Sequence, residues 1–262
     1  MIKVLLKGRM GNQMFQIAAA QALASKNSDE FLCDVNIMGI KPTDLETEKH
    51  RATIFKKVPF CNLTNFRNLH NDSENFEFSP IEYKNEICLS GYYQSEKYFL
   101  SDKVKIKNLF SAPDRLKSII EKRFCNLLLK ENTCSVHIRR GDYLKFKDYH
   151  NNLTKQYYLN WFDTIGSDNH FVFFSDDIEW CKETFSDMNA SFINTGFDVL
   201  DFYLMSYMKN NIIANSSYSW WAAWMNDNQN KKVLAPSVWF GEKNSNFSTR
   251  DITPEKWEKI DA

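Results

Sequence analysis

The sequence has no apolar run approaching the roughly 18 to 20 residues that a membrane-spanning helix needs. It has no excess of either charge, with Lys and Arg numbering 33 and Asp and Glu also 33. A nucleic-acid binder ordinarily carries a basic surplus, so that class is set aside, although zero net charge leaves room for one cationic pocket. Cys33, Cys61, Cys88, Cys125, Cys134 and Cys181 show no metal-finger spacing, and a chain this long needs no disulfide staples. They read as reduced, mostly buried thiols. The opening Met1-Ile2-Lys3-Val4-Leu5-Leu6-Lys7-Gly8 has too short an apolar run for a secretory leader. The expected location is the cytoplasm, where a triplet such as Asn215-Ser216-Ser217 carries no glycosylation meaning.

What is present suits two domains: 262 residues, 43% hydrophobic and 15% aromatic, can bury a sizeable core. Ile2 to Leu6 reads as a first strand, running into the glycine turn Gly8-Arg9-Met10-Gly11-Asn12-Gln13 and a helix from Met14 to Ser25. Strand, glycine turn and helix aim helix-start amides at an anion or a sugar hydroxyl, but this turn is equally a backbone necessity. Residues 31–35 suggest a second strand, 36–83 read as loops and short elements that could line an acceptor cleft, and 87–93 as another strand. Ser111-Ala112-Pro113 is the linker candidate, dividing the chain into 1–112 and 113–262, with the C-terminal tail packing back on the first half. A helix is expected over 113–130, then an aromatic helix over 155–165 whose Tyr157, Tyr158, Trp161 and Phe162 read as core. Strands over 169–174, 191–194, 211–214 and 233–235, the last of the chain, alternate with helices over 180–185, 199–208 and 217–225. This alternation predicts an α/β fold with a parallel sheet covered on both faces.

Three polar clusters stand at presumptive strand ends: His137-Ile138-Arg139-Arg140-Gly141-Asp142-Tyr143, Ser175-Asp176-Asp177, and Asn215-Ser216-Ser217-Tyr218-Ser219. Strand ends of one parallel sheet converge on a ligand crevice. Paired arginines neutralise phosphate, a carboxylate accepts from the N–H edge of guanine, and serines at a helix start hold phosphate oxygens. That set is what a nucleotide diphosphate requires. The competing reading is a structural ion pair at a strand end.

Taken in order, Gly8 to Gln16, His137 to Tyr143, Phe173 to Asp177 and Ile213 to Trp221 resemble the bacterial α-1,2-fucosyltransferases, an inverting class that uses GDP-fucose. The resemblance implies a GT-B-like architecture, two Rossmann-like halves with parallel sheets facing across a cleft, the second holding GDP and the first the acceptor. By similarity, His137 and Arg139 contact the diphosphate and the adjacent sugar, and Arg140 adds charge or braces the loop. Asp176 or Asp177 helps hold guanine; Ser216, Ser217 and Ser219, with Asn215 beside them, meet phosphate oxygens; Gly11, Asn12 and Gln13 approach from the other half. Asp142 and Tyr143 complete the motif, touching ligand or supporting the loop. The general base is unassigned among Asp142, Asp34, Glu96 and Glu82. The implied reaction moves fucose to the 2-hydroxyl of a galactose-containing acceptor in surface-glycan (O-antigen-type) synthesis. A lipid-linked acceptor would suit peripheral contact with the inner face of a membrane, although no basic amphipathic stretch demonstrates it.

Two other readings stand beside this one: a different sugar-nucleotide transferase on the same fold, and a non-catalytic carbohydrate binder using Trp220, Trp221, Trp224 and Trp239 as stacking surfaces. The second leaves His137, Arg139 and Arg140 without a task. Arg140-Gly141-Asp142 also spells an adhesion motif, a coincidence in an intracellular chain. Asp176 and Asp177 would suit a divalent cation, but Arg139 and Arg140 already supply positive charge, and the resemblance implies metal independence with no cofactor beyond the donor. Transfer is therefore expected to persist undiminished in excess EDTA; loss of transfer, restored by Mg²⁺ or Mn²⁺, would assign the carboxylates to a metal.

Overall fold

The structure, a computed structural model, describes residues 1–36, 45–63, 65–72, 76–166 and 168–261. The chain packs as two compact units, Met1–Pro113 with Phe247–Pro254, and Asp114–Asn246 with Glu255–Ala262.

The first unit starts with β1 (Ile2–Leu5), helix α1 (Met10–Lys26) and β2 (Phe31–Asp34). Alanines at 18, 19, 20, 22 and 24 are all buried, letting α1 lie close on the sheet. After it come α2 (Leu45–Ala52), β3 (Phe60–Cys61), β4 (Asn68–Asn71), β5 (Ile87–Ser90) and α3 (Lys103–Leu109). The strands lie in the order β3-β2-β1-β5-β4, and every described pairing is parallel. Residues 36–83, expected to hold loops and short elements, supply a short helix and both edge strands; 37–44, 64 and 73–75 fall outside the described residues. Edge strands with sequences such as Asn-Leu-His-Asn carry no long apolar run, so nothing in their composition marks them.

The second unit runs α4 (Asp114–Arg123), α5 (Cys125–Leu128), β6 (Thr133–Ile138), α6 (Gly141–Lys145), α7 (Lys155–Ile165), β7 (His170–Ser175) and α8 (Ile178–Thr184). It continues through β8 (Ala190–Ile193), α9 (Asp198–Ser206), β9 (Asn210–Ile212), α10 (Ser217–Met225), β10 (Val233–Pro236) and β11 (Glu258–Ile260). The order is β11-β10-β9-β6-β7-β8, again parallel in every described pair. Two expectations are corrected here. The helix over 113–130 breaks at Phe124 into α4 and α5, and 233–236 is not the last strand, because the short, polar β11 follows it.

All six residues of β6 are buried, as befits a central parallel strand covered on both faces. Helix α7, capped by the Thr154 hydroxyl, lays Tyr157, Tyr158, Trp161 and Phe162 against Val136, Ile138, Phe171 and Phe173. Its phenols do more than fill space. Tyr158 donates to the carbonyl of His137 at 3.3 Å and Tyr157 to that of Ile213 at 3.2 Å, pinning the backbone where β6 ends and just beyond β9.

Trp220, Trp221 and Trp224 are buried and pack edge to face and stacked, and Trp239 is buried too. None of the four offers a sugar-stacking surface. Trp221→Ala is expected to cost about 3–5 kcal/mol in unfolding free energy measured by guanidinium titration; a midpoint shift no larger than that of a surface substitution would contradict this placement.

Candidate functional site

The strands β9, β6 and β7 are neighbours, so the three polar clusters that follow them lie at adjacent ends of one parallel sheet. A lattice of charges ties two of these ends together. Arg139 reaches Asp142 at 2.5 Å with one terminal nitrogen and Asp176 at 3.0 Å with the other. Arg140 donates from its backbone N–H to Asp176 at 2.9 Å and from Nε to Asp177 at 3.1 Å, and its guanidinium lies 3.9 Å over the ring of Trp180. The other oxygen of Asp177 caps α8 by accepting from the Trp180 N–H at 3.4 Å. A Cβ at Gly141 would stand 2.6 Å from a carboxylate oxygen of Asp176, so a larger residue there would push the Asp176 carboxylate from its place beside Arg139.

The ion pairs of the competing reading are thus present at the clustered arginines. Both are paired with carboxylates. Yet the Arg139 side chain remains 20% exposed. A guanidinium has five N–H donors, and two carboxylates do not exhaust them. Asp176 and Asp177 likewise spend oxygens on the arginines and on α8, which weighs against a guanine role for Asp177.

His137 differs from its neighbours. It is 5% exposed, its Nδ1 is buried with no hydrogen-bond partner, and its ring lies 5.3 Å from that of Tyr218. Burial, and secondarily the Arg139 charge, hold its pKa down to about 3. The imidazole is thus neutral at physiological pH, with a nitrogen still to be satisfied.

The remaining expected site residues divide. Ser216, at the N-cap, and Ser217 open α10 and are partly exposed. Ser219 is buried and donates to the Ser216 carbonyl at 3.3 Å, turned into the helix rather than toward an anion. Asn215 is also buried: its amide donates to the carbonyls of Asn151 at 2.9 Å and Trp239 at 2.8 Å, so it ties loops together. Tyr143 donates to the Asn215 carbonyl at 2.9 Å and stacks flat on His150, 4.0 Å between centroids. Of the two roles left open for Tyr143, the loop support is what these contacts describe. His150, Trp180 and Tyr158 were missed, since their relation to the motif is made only by the fold.

In the first unit the helix begins at Met10, not Met14, so Gly11, Asn12 and Gln13 belong to its first turn. Only Gly8, at φ +73°, holds the turn itself. Gln13 is buried and donates to the Gly8 carbonyl at 2.7 Å, while Gln16 accepts from Lys7 N–H and donates to Lys7 C=O, each at 2.9 Å. These amides shape the loop, and the Gln13 nitrogen expected to approach substrate is spent on the Gly8 carbonyl. Asn12 accepts from Gln94 at 2.8 Å. Of the base candidates, Asp34 is buried and accepts from Asn36 N–H at 3.0 Å, and Glu82 pairs with Lys84 at 3.3 Å. Among the described residues no three His, Cys, Asp or Glu side chains are grouped to hold a metal, and no helix is long and apolar enough to cross a membrane.

Two parallel sheets covered by helices, one of them with an Arg-His-Asp rim, define the α/β architecture of the molecule. A structure of NodZ α-1,6-fucosyltransferase co-crystallised with GDP shares that fold, at a TM-score of 0.55 and 12% identity, covering 84% of this chain and 91% of that one. Residues 1–261 match Glycosyl transferase family 11, and the chain belongs to that family. It is 32% identical to an Escherichia coli alpha-1,2-colitosyltransferase, over 98% of this chain and 97% of that protein, and 31% identical to the E. coli O-antigen biosynthesis glycosyltransferase WbnK, over 94% and 97%. Galactoside alpha-(1,2)-fucosyltransferase 2 of Pongo pygmaeus is 26% identical over 83% of this chain and 67% of its own length.

Because folding favours the neutral form of His137, the unfolded chain binds the extra proton between its ordinary pKa of 6.5 and about 3. That contribution to stability is complete above 6.5 and is lost as pH falls through the window. His137→Gln is expected to flatten the fall in urea midpoint between pH 7 and pH 5; an unchanged slope would mean that the imidazole is not held neutral.

Proposed function

We propose that the chain is an inverting, metal-independent transferase that moves fucose from GDP-fucose to the 2-hydroxyl of a galactoside during surface-glycan synthesis. The observation that carries the reading is the unsatisfied, buried Nδ1 of His137 beside the partly exposed guanidinium of Arg139, at the end of β6. A neutral imidazole and a fixed cation side by side suit a diphosphate oxygen. The resemblance of the motifs to α-1,2-fucosyltransferases and the galactoside fucosyltransferase among the relatives support the donor and acceptor class.

The acceptor oxygen forms a bond to the anomeric carbon as the bond to the β-phosphate breaks, and the electron pair leaves with GDP. Negative charge grows on the β-phosphate through an oxocarbenium-like state. Arg139, steered by Asp176, stabilises that charge without having to move; donors fixed in this way are typically the largest catalytic contribution. A phosphate oxygen competes with Asp142 for the other end of Arg139. Arg140, held by Asp177 and by Trp180, keeps the loop in place. Ser216 and Ser217 offer hydroxyls and helix-start amides to the remaining oxygens. The hydroxyl proton goes to a base that this geometry does not single out.

The colitosyltransferase relative favours a second reading, in which the donor sugar is colitose. Colitose is fucose without its 3-hydroxyl. A pocket built to hydrogen-bond that hydroxyl rejects the analogue lacking it by about 10⁴-fold, so GDP-fucose and GDP-colitose compared on one galactoside discriminate sharply. Preference for GDP-fucose is expected; preference for GDP-colitose would transfer the assignment. Arg139→Ala should lower the transfer rate roughly 100- to 1,000-fold, and Arg139→Lys, which keeps the charge but not the two-ended geometry, should remain well below wild type. Transfer by Arg139→Ala within about tenfold of wild type would remove Arg139 from the mechanism.

A further inference from the structure

Four of the six large apolar side chains exposed in the second unit, counted over the described residues, gather on the end of α6 and on two joined loops. Leu144, Phe146 and Tyr149 are 46%, 55% and 46% exposed, and Val238 is 47% exposed. The loops are braced against each other: Gly241 N–H donates to the Tyr149 carbonyl at 3.0 Å, Lys243 N–H to the Asp148 carbonyl at 2.9 Å, and His150 bridges Phe240 in antiparallel fashion. The apolar groups therefore project from a fixed surface. Exposed apolar groups gathered in this way mark an interaction site more often than scattered ones do.

Charge identifies the partner. Lys145 and Lys147 alternate with Leu144, Phe146 and Tyr149 along the chain, and both are exposed. Lys243 pairs with Asp148 at 3.1 Å and lies 5.0 Å over the Tyr149 ring. Three lysines against Asp148 and the exposed Glu242 leave the patch at +1 in a chain whose net charge is zero. Aromatic rings that settle at the headgroup level, with lysines able to reach anionic headgroups, are the makings of an interfacial anchor. A second copy docked through the same patch would set these lysines against one another. A glycan would gain nothing from them, and Lys243 already covers Tyr149.

We propose that Leu144, Phe146, Tyr149 and Val238, with Lys145 and Lys147, dock the protein on an anionic lipid surface. The patch begins two residues after Asp142, so docking brings the β6 rim close to the bilayer. This inference does not rest on the identity of the sugar transferred.

The full-length chain is sedimented with vesicles of phosphatidylcholine alone and of phosphatidylcholine mixed with phosphatidylglycerol. Binding to the mixed vesicles only is expected, weakening as salt is raised. Lys145→Gln and Lys147→Gln should each lower partitioning about fivefold, and Phe146→Ser with Tyr149→Ser should abolish it, with thermal unfolding unchanged in every variant. Three results would overturn the proposal: no binding to either vesicle, undiminished binding by the variants, or dimerisation of the wild type that these substitutions prevent. A rise in acceptor KM in the Phe146 and Tyr149 variants, without any change in vesicle binding, would instead assign the patch to the glycan.

Discussion

Two arginines and three aspartates bind the end of β6 to the end of β7, and the rest of the site is arranged around that lattice. Arg139 is held from both sides by Asp142 and Asp176, and Arg140 is held by Asp177 and covered by Trp180. Partly exposed ion pairs of this kind contribute little to stability. Their consequence is geometric. A guanidinium with two fixed partners needs no reorganisation to present its remaining donors, which is the condition for stabilising charge that appears only in a transition state.

The scaffold beneath the lattice is aromatic. Tyr158 and Tyr157 rise from α7 through the core to the carbonyls of His137 and Ile213, so the packing of a helix remote in sequence sets where two strand ends stop. On the outer side, Tyr143, His150, Asn215 and the carbonyls of Asn151 and Trp239 join helix α6 and three loops into one piece. The same bracing presents Leu144, Phe146 and Tyr149 outward. A rigid rim and an apolar apron are thus two faces of one loop assembly.

Much of this was legible in the residues. A parallel strand such as His170–Ser175 is buried on both faces and reads as a near-continuous apolar run, and the aromatic stripe of α7 read as core. That adjacent strand ends would gather the three polar clusters followed from the rule for parallel sheets. The short edge strands β3, β4 and β11 were not legible, because two to four residues exposed at a sheet edge need no hydrophobic pattern. Site residues were legible by type and not by direction. Ser219, Asn215 and Gln13 have the chemistry of ligand contacts, yet each turns its polar group to a backbone carbonyl. A buried carbonyl must be satisfied, and sequence does not tell which amide or hydroxyl will do so. His150 illustrates the converse, since only the fold stacks it on Tyr143.

Membership of Glycosyl transferase family 11 fixes the kind of chemistry, and the proposal places it around His137 and Arg139. The claim on which the account turns is that the end of β6 receives a nucleotide diphosphate. A crystal structure of the complex with GDP tests it most directly. The account predicts a phosphate oxygen at about 2.7–3.2 Å from Arg139, with His137 Nδ1 turned to the same ligand. A GDP molecule seated elsewhere, with Arg139 still engaged only by Asp142 and Asp176, would contradict it.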